Sequence, residues 1–515
     1  MRTIVLSLLL FAFVGCSAKG GTDEGDKFYA PITVSRIATT DSGKPYLEVD
    51  GKPFAVYGAQ IRLDIFKSVD KLDWIQIEEY FRLASDFGVN TVQVPMPWAF
   101  VEPQKDSYSF DDVDRVLGFA NKYNLKIELL WFSTNMIGDS YSWLVPTYIL
   151  AEPSIRLKRD DNASYHWLYG YTYSIRMNDP WLLERETKAV KVLFNHIRAW
   201  DEANGNRHPV ITCQVHNEPD GLVRWRLDQQ NISHKDGSPL TREEAWTMTL
   251  DALDVVGKAV RNSSYKVATR TNVISGNGVN DYPQTPGISP KDVYELDGID
   301  FLSFDPYMET VNQIAYETSQ YASLKGNYPL VAENRGDYSN TASLMLVASA
   351  LGGGYDIYDL TTSRFITANS APPFNTEGIY ESDLTPKRHT AAVSNLLGGL
   401  VRLGEDVAVT ACEDFAVFNV RTDTPEQVLT QTICTSGAKL TFSTSTGALC
   451  FVLDRGDVLK VFSTDAAELK IENGAVGGFS GNSIALEGGR IYEIPFSSDS
   501  RLESTVKHNI GTLFN

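Results

Sequence analysis

Over residues 53–403, short apolar runs alternate with amphipathic helical stretches, and the alternation repeats eight times. Apolar runs are expected at 54–58, 91–94, 125–131, 210–215, 265–275, 299–304, 329–332 and 355–358. The stretch between the first two carries Trp74, Ile77, Tyr80, Phe81 and Ala84 at helical spacing and stops at Gly88. Asp179-Pro180 sets an N-cap before a proline at the first helical position, which opens a long helix to about Trp200. Eight such units suit a (β/α)8 barrel with enlarged loops better than a doubly wound sheet.

The texture changes near residue 406. Runs at 407–410, 415–418, 440–442, 450–453, 459–462 and 491–494 are short and β-rich, separated by Gly, Ser, Thr and Asp. This predicts an all-β accessory domain of sandwich type. The expected class is therefore α/β: a (β/α)8 TIM barrel at 45–404 and a C-terminal β domain with a tail at 405–515. The short helix at 391–400 runs into the β domain with no flexible linker, and that domain has no tryptophan. Both features predict rigid packing against the barrel rather than a tethered binding module.

The N-terminus reads as targeting. Arg2 precedes an apolar run at 4–14, too short to span a bilayer, which ends at Phe13-Val14-Gly15-Cys16. This resembles a bacterial lipobox, which implies a lipoprotein signal at 1–15, lipidation of Cys16, and a polar tether and lead-in at 16–44. The expected location is the envelope of a Gram-negative bacterium, with membrane contact through the lipid anchor only. In that oxidising setting Cys412, Cys434 and Cys450 are open to pairing, while Cys213 sits in an apolar strand as a core thiol. No C-x-x-C spacing suggests a metal site, and no cofactor is expected. Lys and Arg number 46 against 65 Asp and Glu, for a net charge of −19. A surface that acidic repels phosphate backbones, so nucleic acid is not an expected partner.

In a barrel, chemistry sits where strands end at the C-terminal face. The fourth run ends at His216-Asn217-Glu218-Pro219 and the seventh at Glu333-Asn334-Arg335-Gly336. Each delivers one glutamate to the same rim. Paired carboxyl groups are what retaining glycoside hydrolysis requires: one proton donor and one nucleophile.

Asn217-Glu218-Pro219 after a strand resembles the acid/base motif of the clan A retaining glycosidases. Within that clan the chain is most similar to glycoside hydrolase families 35 and 42, the β-galactosidases. Trp98-Ala99-Phe100-Val101-Glu102-Pro103 with Tyr108-Ser109-Phe110 resembles the family 35 W-N-x-H-E-P and G-x-F-D-F pattern. Gln214 to Glu218 is similar to its Q-V-E-N-E, and Gly354 to Tyr358 to its strand-eight region. The chain departs from family 35 at Ala99, Val101 and His216. It also has Phe132-Ser133-Thr134-Asn135 where that family has C-A-E-W.

The resemblance implies Glu218 as acid/base and Glu333 as nucleophile, with Glu309 and Glu377 as rivals for the second role. Asn217 would hold the sugar 2-hydroxyl. Tyr307 either reaches the nucleophile or packs in the core. Arg62 either supports the nucleophile or forms a surface ion pair. Trp98, Trp131 and Trp143 are candidates for a sugar platform or for core, and Asn135 for a sugar contact at strand three. Glu102 reads as structural. The expected function is a retaining exo-β-glycosidase acting on oligosaccharide or polysaccharide. An endo-β-glucanase or mannanase of the same clan and a surface glycan-binding lipoprotein are the alternatives.

Overall fold

The structure is a computed structural model that describes residues 29–134, 142–159, 173–363, 376–420, 430–478 and 482–502. The lipobox with Cys16 and the loop residue Asn135 lie outside the described residues. Among the described residues no helix is long and apolar enough to cross a membrane.

Eight parallel strands close into a barrel: β1 Tyr57–Gln60, β2 Thr91–Pro97, β3 Lys126–Phe132, β4 Val210–Val215, β5 Ala268–Ile274, β6 Phe301–Asp305, β7 Val331–Arg335 and β8 Tyr355–Tyr358. Each strand pairs with its sequence neighbour, and β8 returns to β1 through Tyr355 opposite Tyr57. The chain therefore folds as a TIM barrel with a β accessory domain. Helix ends follow the local chemistry. Asp179 accepts from the amides of Trp181 and Leu182 to start Pro180–Ala203. Thr241 and Glu244 form a capping box on Arg242–Arg261. Asn124, left-handed at φ 54°, ends Asp111–Tyr123.

Several elements differ from the sequence reading. The first barrel strand is Tyr57–Gln60. Lys52–Phe54 instead joins a three-stranded antiparallel sheet with Ser35–Thr39 and Pro45–Val49, so the lead-in to the barrel carries a strand. Strand β7 lies two residues later than expected, which puts Glu333 inside the strand. The run at 407–410 is not a strand: Gly404–Val409 is a helix. Its β-branched residues favour a strand locally, but Lys44 reaches across to the carbonyls of Val407 and Thr410 and caps the helix end. Cys213, Cys412 and Cys450 are free thiols, with Cys213 and Cys450 buried.

The C-terminal strands form two antiparallel sheets. Alternation with period 2 explains their packing. Ala416, Phe418, Cys450 and Val452 face the second sheet and share its core. Phe415, Val417, Phe451 and Leu453 face the other way and join the core of the barrel. Between barrel and sheet lies helix Thr341–Ala350, buried along its whole length and apolar on all sides.

The barrel interior is unusually polar beneath its rim. Arg270 is fully buried, with its Nε 3.1 Å from Glu128. The same guanidinium donates to Gln214 Oε1 and, at 3.0 Å, to Ser303 Oγ. Gln93 donates to Asp356 at 2.9 Å and to the Ala332 carbonyl at 2.8 Å. Burial, with the Glu128 charge nearby, pushes the Asp356 carboxyl well above its ordinary range.

Candidate active site

Strands β4, β6 and β7 each deliver one acid to the same end of the barrel. Oxygens from Glu218, Asp305 and Glu333 all lie within 4.8 Å of one another. It is the one such group of acidic, histidine or cysteine side chains among the described residues.

Glu333 is 5 % exposed and held from both sides. Tyr307 donates to its Oε2 at 2.5 Å, and Gln60, from the end of β1, donates to its Oε1 at 3.1 Å. Burial raises the Glu333 pKa, while these two donors and the charges of Arg62 and Arg270 oppose the rise. Arg62 is buried, not a surface group. It forks onto Asp64 with two 2.9 Å bonds and donates to the Tyr358 hydroxyl at 3.0 Å. Tyr307 thus contacts the seventh-strand glutamate directly, and Arg62 acts on it through its charge.

The turn after β4 is conformationally forced. His216 and Glu218 both have positive φ, 62° and 44°, and Tyr307 after β6 has φ 47°. Non-glycine residues adopt this region at a cost and concentrate at functional sites. Gln214 donates to the His216 carbonyl and to Asn217 Oδ1, at 2.9 and 3.0 Å. Asn272 on β5 donates to Asn217 Oδ1 at 2.9 Å and accepts from the Glu218 amide at 3.1 Å. Asn217 Oδ1 is thereby doubly occupied, which fixes the orientation of its amide group.

His216 replaces a carboxylate of the family 35 motif, and the structure supplies a partner for it. Its Nε2 is 2.8 Å from Glu186 Oε1, which also accepts from Trp131 Nε1 at 2.9 Å and Ser133 Oγ at 2.5 Å. Burial by itself raises the Glu186 pKa, but His216 and these donors outweigh it and hold the carboxyl below its usual value.

Trp98 and Trp131 do not form a sugar platform. Both are 0 % exposed and lie against each other, with ring centroids 6.3 Å apart. The Trp98 indole donates to Glu102 at 2.9 Å, and Glu102 also takes Arg185 and the Asp106 amide. That makes Glu102 a structural anchor, as its loop position suggested. Trp143 is half-buried. Of the rivals to Glu333, Glu309 is exposed. Glu377 is buried near Arg335 and Glu333, and burial pushes its carboxyl up to about 8.

Sequence reasoning missed Asp305, Asn272 and Gln60. Asp305 directly follows the apolar run at 299–304, so its place at a strand end is the signal that could have found it. Asn272 and Gln60 sit inside strands and carry no motif. Tyr307 and Gln60 donate to Glu333, and Asn272 donates to Asp305.

A family described as "Domain of unknown function (DUF4978)" matches residues 248–425. No curated protein matches the chain by sequence. Among solved structures, an exo-β-1,4-mannosidase, Op5Man5, from Opitutaceae bacterium strain TAV5 is similar at 13% identity and a TM-score of 0.49, covering 71% of this chain and 63% of its own. A polyextremophilic β-galactosidase from the Antarctic haloarchaeon Halorubrum lacusprofundi is similar at 14% identity and a TM-score of 0.46, covering 68% of this chain and 58% of its own. The chain thus spans less than two thirds of the length of either.

Proposed function

We propose that the protein is a retaining β-glycosidase with Glu218 as acid/base and Glu333 as nucleophile. The observation that carries the reading is the approach of their carboxyl oxygens to within 4.8 Å at the C-terminal rim. Retaining enzymes hold their carboxyl groups about 5–5.5 Å apart, whereas inverting ones leave roughly 6.5–9.5 Å for a water.

In the first step Glu218 gives its proton to the glycosidic oxygen while a Glu333 oxygen attacks the anomeric carbon. The C–O bond to the leaving group breaks and a glycosyl ester forms. In the second step the Glu218 carboxylate takes a proton from water, the hydroxide oxygen attacks the same carbon, and Glu333 leaves as carboxylate. Tyr307 and Gln60 hold the nucleophile in place by donating to its two oxygens. In this reading Asn217 meets the sugar 2-hydroxyl. Exo action on β-galactoside-like substrates belongs to the same proposal, as does anchoring at Cys16 in the bacterial envelope.

The test is a 2-deoxy-2-fluoro aryl β-glycoside, which forms the glycosyl ester and hydrolyses it slowly. Mass spectrometry of the digested protein is expected to find the sugar on the peptide containing Glu333. Glu333→Gln is expected to abolish turnover. Label on another residue, or full activity in that variant, would sink the assignment.

A further inference from the structure

The third carboxyl of the cluster has no part in double displacement. Asp305 is 1 % exposed at the end of β6, and its Oδ2 accepts from Asn272 Nδ2 at 2.6 Å. Its Oδ1 is buried with no hydrogen-bond partner among the described residues. A buried acid between two others is costly unless it does something for them.

The orientation of Asn272 shows what that is. Its NH2 group serves two acceptors, Asp305 Oδ2 and Asn217 Oδ1. With both on one side, the amide oxygen must face the other way, where it accepts from the Glu218 backbone amide. Turning the amide over would set an oxygen against two acceptors and an NH2 against a donor. Asp305 therefore selects the amide orientation that holds Glu218 in its left-handed conformation.

We propose that Asp305 is a positioning residue for the acid/base, acting on Glu218 through Asn272. This rests on the retaining-glycosidase reading. Burial and the neighbouring Glu333 and Glu218 push the Asp305 carboxyl well above its ordinary range. Oδ2 accepts from Asn272, and Oδ1 stays buried behind it. An asparagine at this position keeps an amide oxygen as acceptor toward Asn272.

The experiment compares two aryl β-glycosides of the sugar that the enzyme turns over fastest, one with a dinitrophenyl and one with a phenyl leaving group. Only the poor leaving group needs protonation. Asp305→Ala is expected to lower kcat/KM about 100-fold on the phenyl glycoside and less than about fivefold on the dinitrophenyl one. Asp305→Asn is expected to recover most of that loss. Asn272→Ala should give the same split, and it carries the test if Asp305→Ala does not fold. Equal losses on both substrates, or no loss on either, would overturn the proposal. Glu218→Ala separates the two ideas. If it shows no leaving-group split, the acid/base assignment itself fails. If it shows the split and the Asp305 and Asn272 variants do not, only the positioning role fails.

Discussion

The Tyr307 hydroxyl lies 2.5 Å from Glu333 Oε2, and the tyrosine reaches it from a left-handed turn at the end of β6. A donor to a carboxylate stabilises the ionised form, which a nucleophile needs, against the burial that opposes it.

Removing that donor has a signed consequence. The Tyr307 bond lowers the Glu333 pKa, so Tyr307→Phe raises it. The acidic limb of the kcat/KM profile is expected to move to higher pH, with activity down roughly tenfold to a hundredfold, the worth of a hydrogen bond to a charged group. A pH profile on an aryl glycoside checks this. An unmoved acidic limb would remove Tyr307 from the control of ionisation.

Glu377 is a competitor for the nucleophile role with a testable titration. Burial raises its folded pKa from 4.5 to about 8. The folded state then holds a proton that the unfolded state releases. The stability this brings is fully present below 4.5 and is lost as pH rises through about 8. Glu377→Gln is expected to flatten that part of the stability-versus-pH curve, measured by denaturant midpoints. It is also expected to retain measurable turnover where Glu333→Gln has none.

Beneath the site, Arg270 and Glu128 are both fully buried. Glu128→Ala leaves the guanidinium without its paired anion and is expected to cost about 3–5 kcal/mol. Chemical denaturation measures it. A loss under about 1 kcal/mol would mean that Asp356 takes over the charge.

Docking of the C-terminal domain depends on a close approach at Gly399 in helix Thr390–Leu400. A Cβ there would stand 2.4 Å from the Phe462 ring. Gly399→Val is expected to destabilise the protein by about 1–3 kcal/mol, the usual cost of overpacking. Limited proteolysis should then cut the β domain sooner than in the unaltered protein. Unchanged proteolysis and an unchanged melting temperature would show that the contact gives way easily.

Much of the architecture was open to a reader of the sequence alone. Eight apolar runs, each followed by a periodic helix, leave few closed arrangements, and the caps at Asp179 and Asn124 depend on neighbours close in the chain. The two glutamates were legible for the same reason: strand ends converge in a barrel, so Glu218 and Glu333 could be assigned to one rim from their position in the pattern. Helix Gly404–Val409 was not legible, because its residues favour a strand and the lysine that caps it lies far away in sequence. Nor were the roles of Trp98 and Trp131, since an indole suits a core and a sugar platform equally well until its surroundings are known. Asp305 and Asn272 were the furthest from view. Their importance lies in which atoms face which acceptors across β4, β5 and β6, and hydrogen-bond direction between separate strands exists only once the barrel has closed.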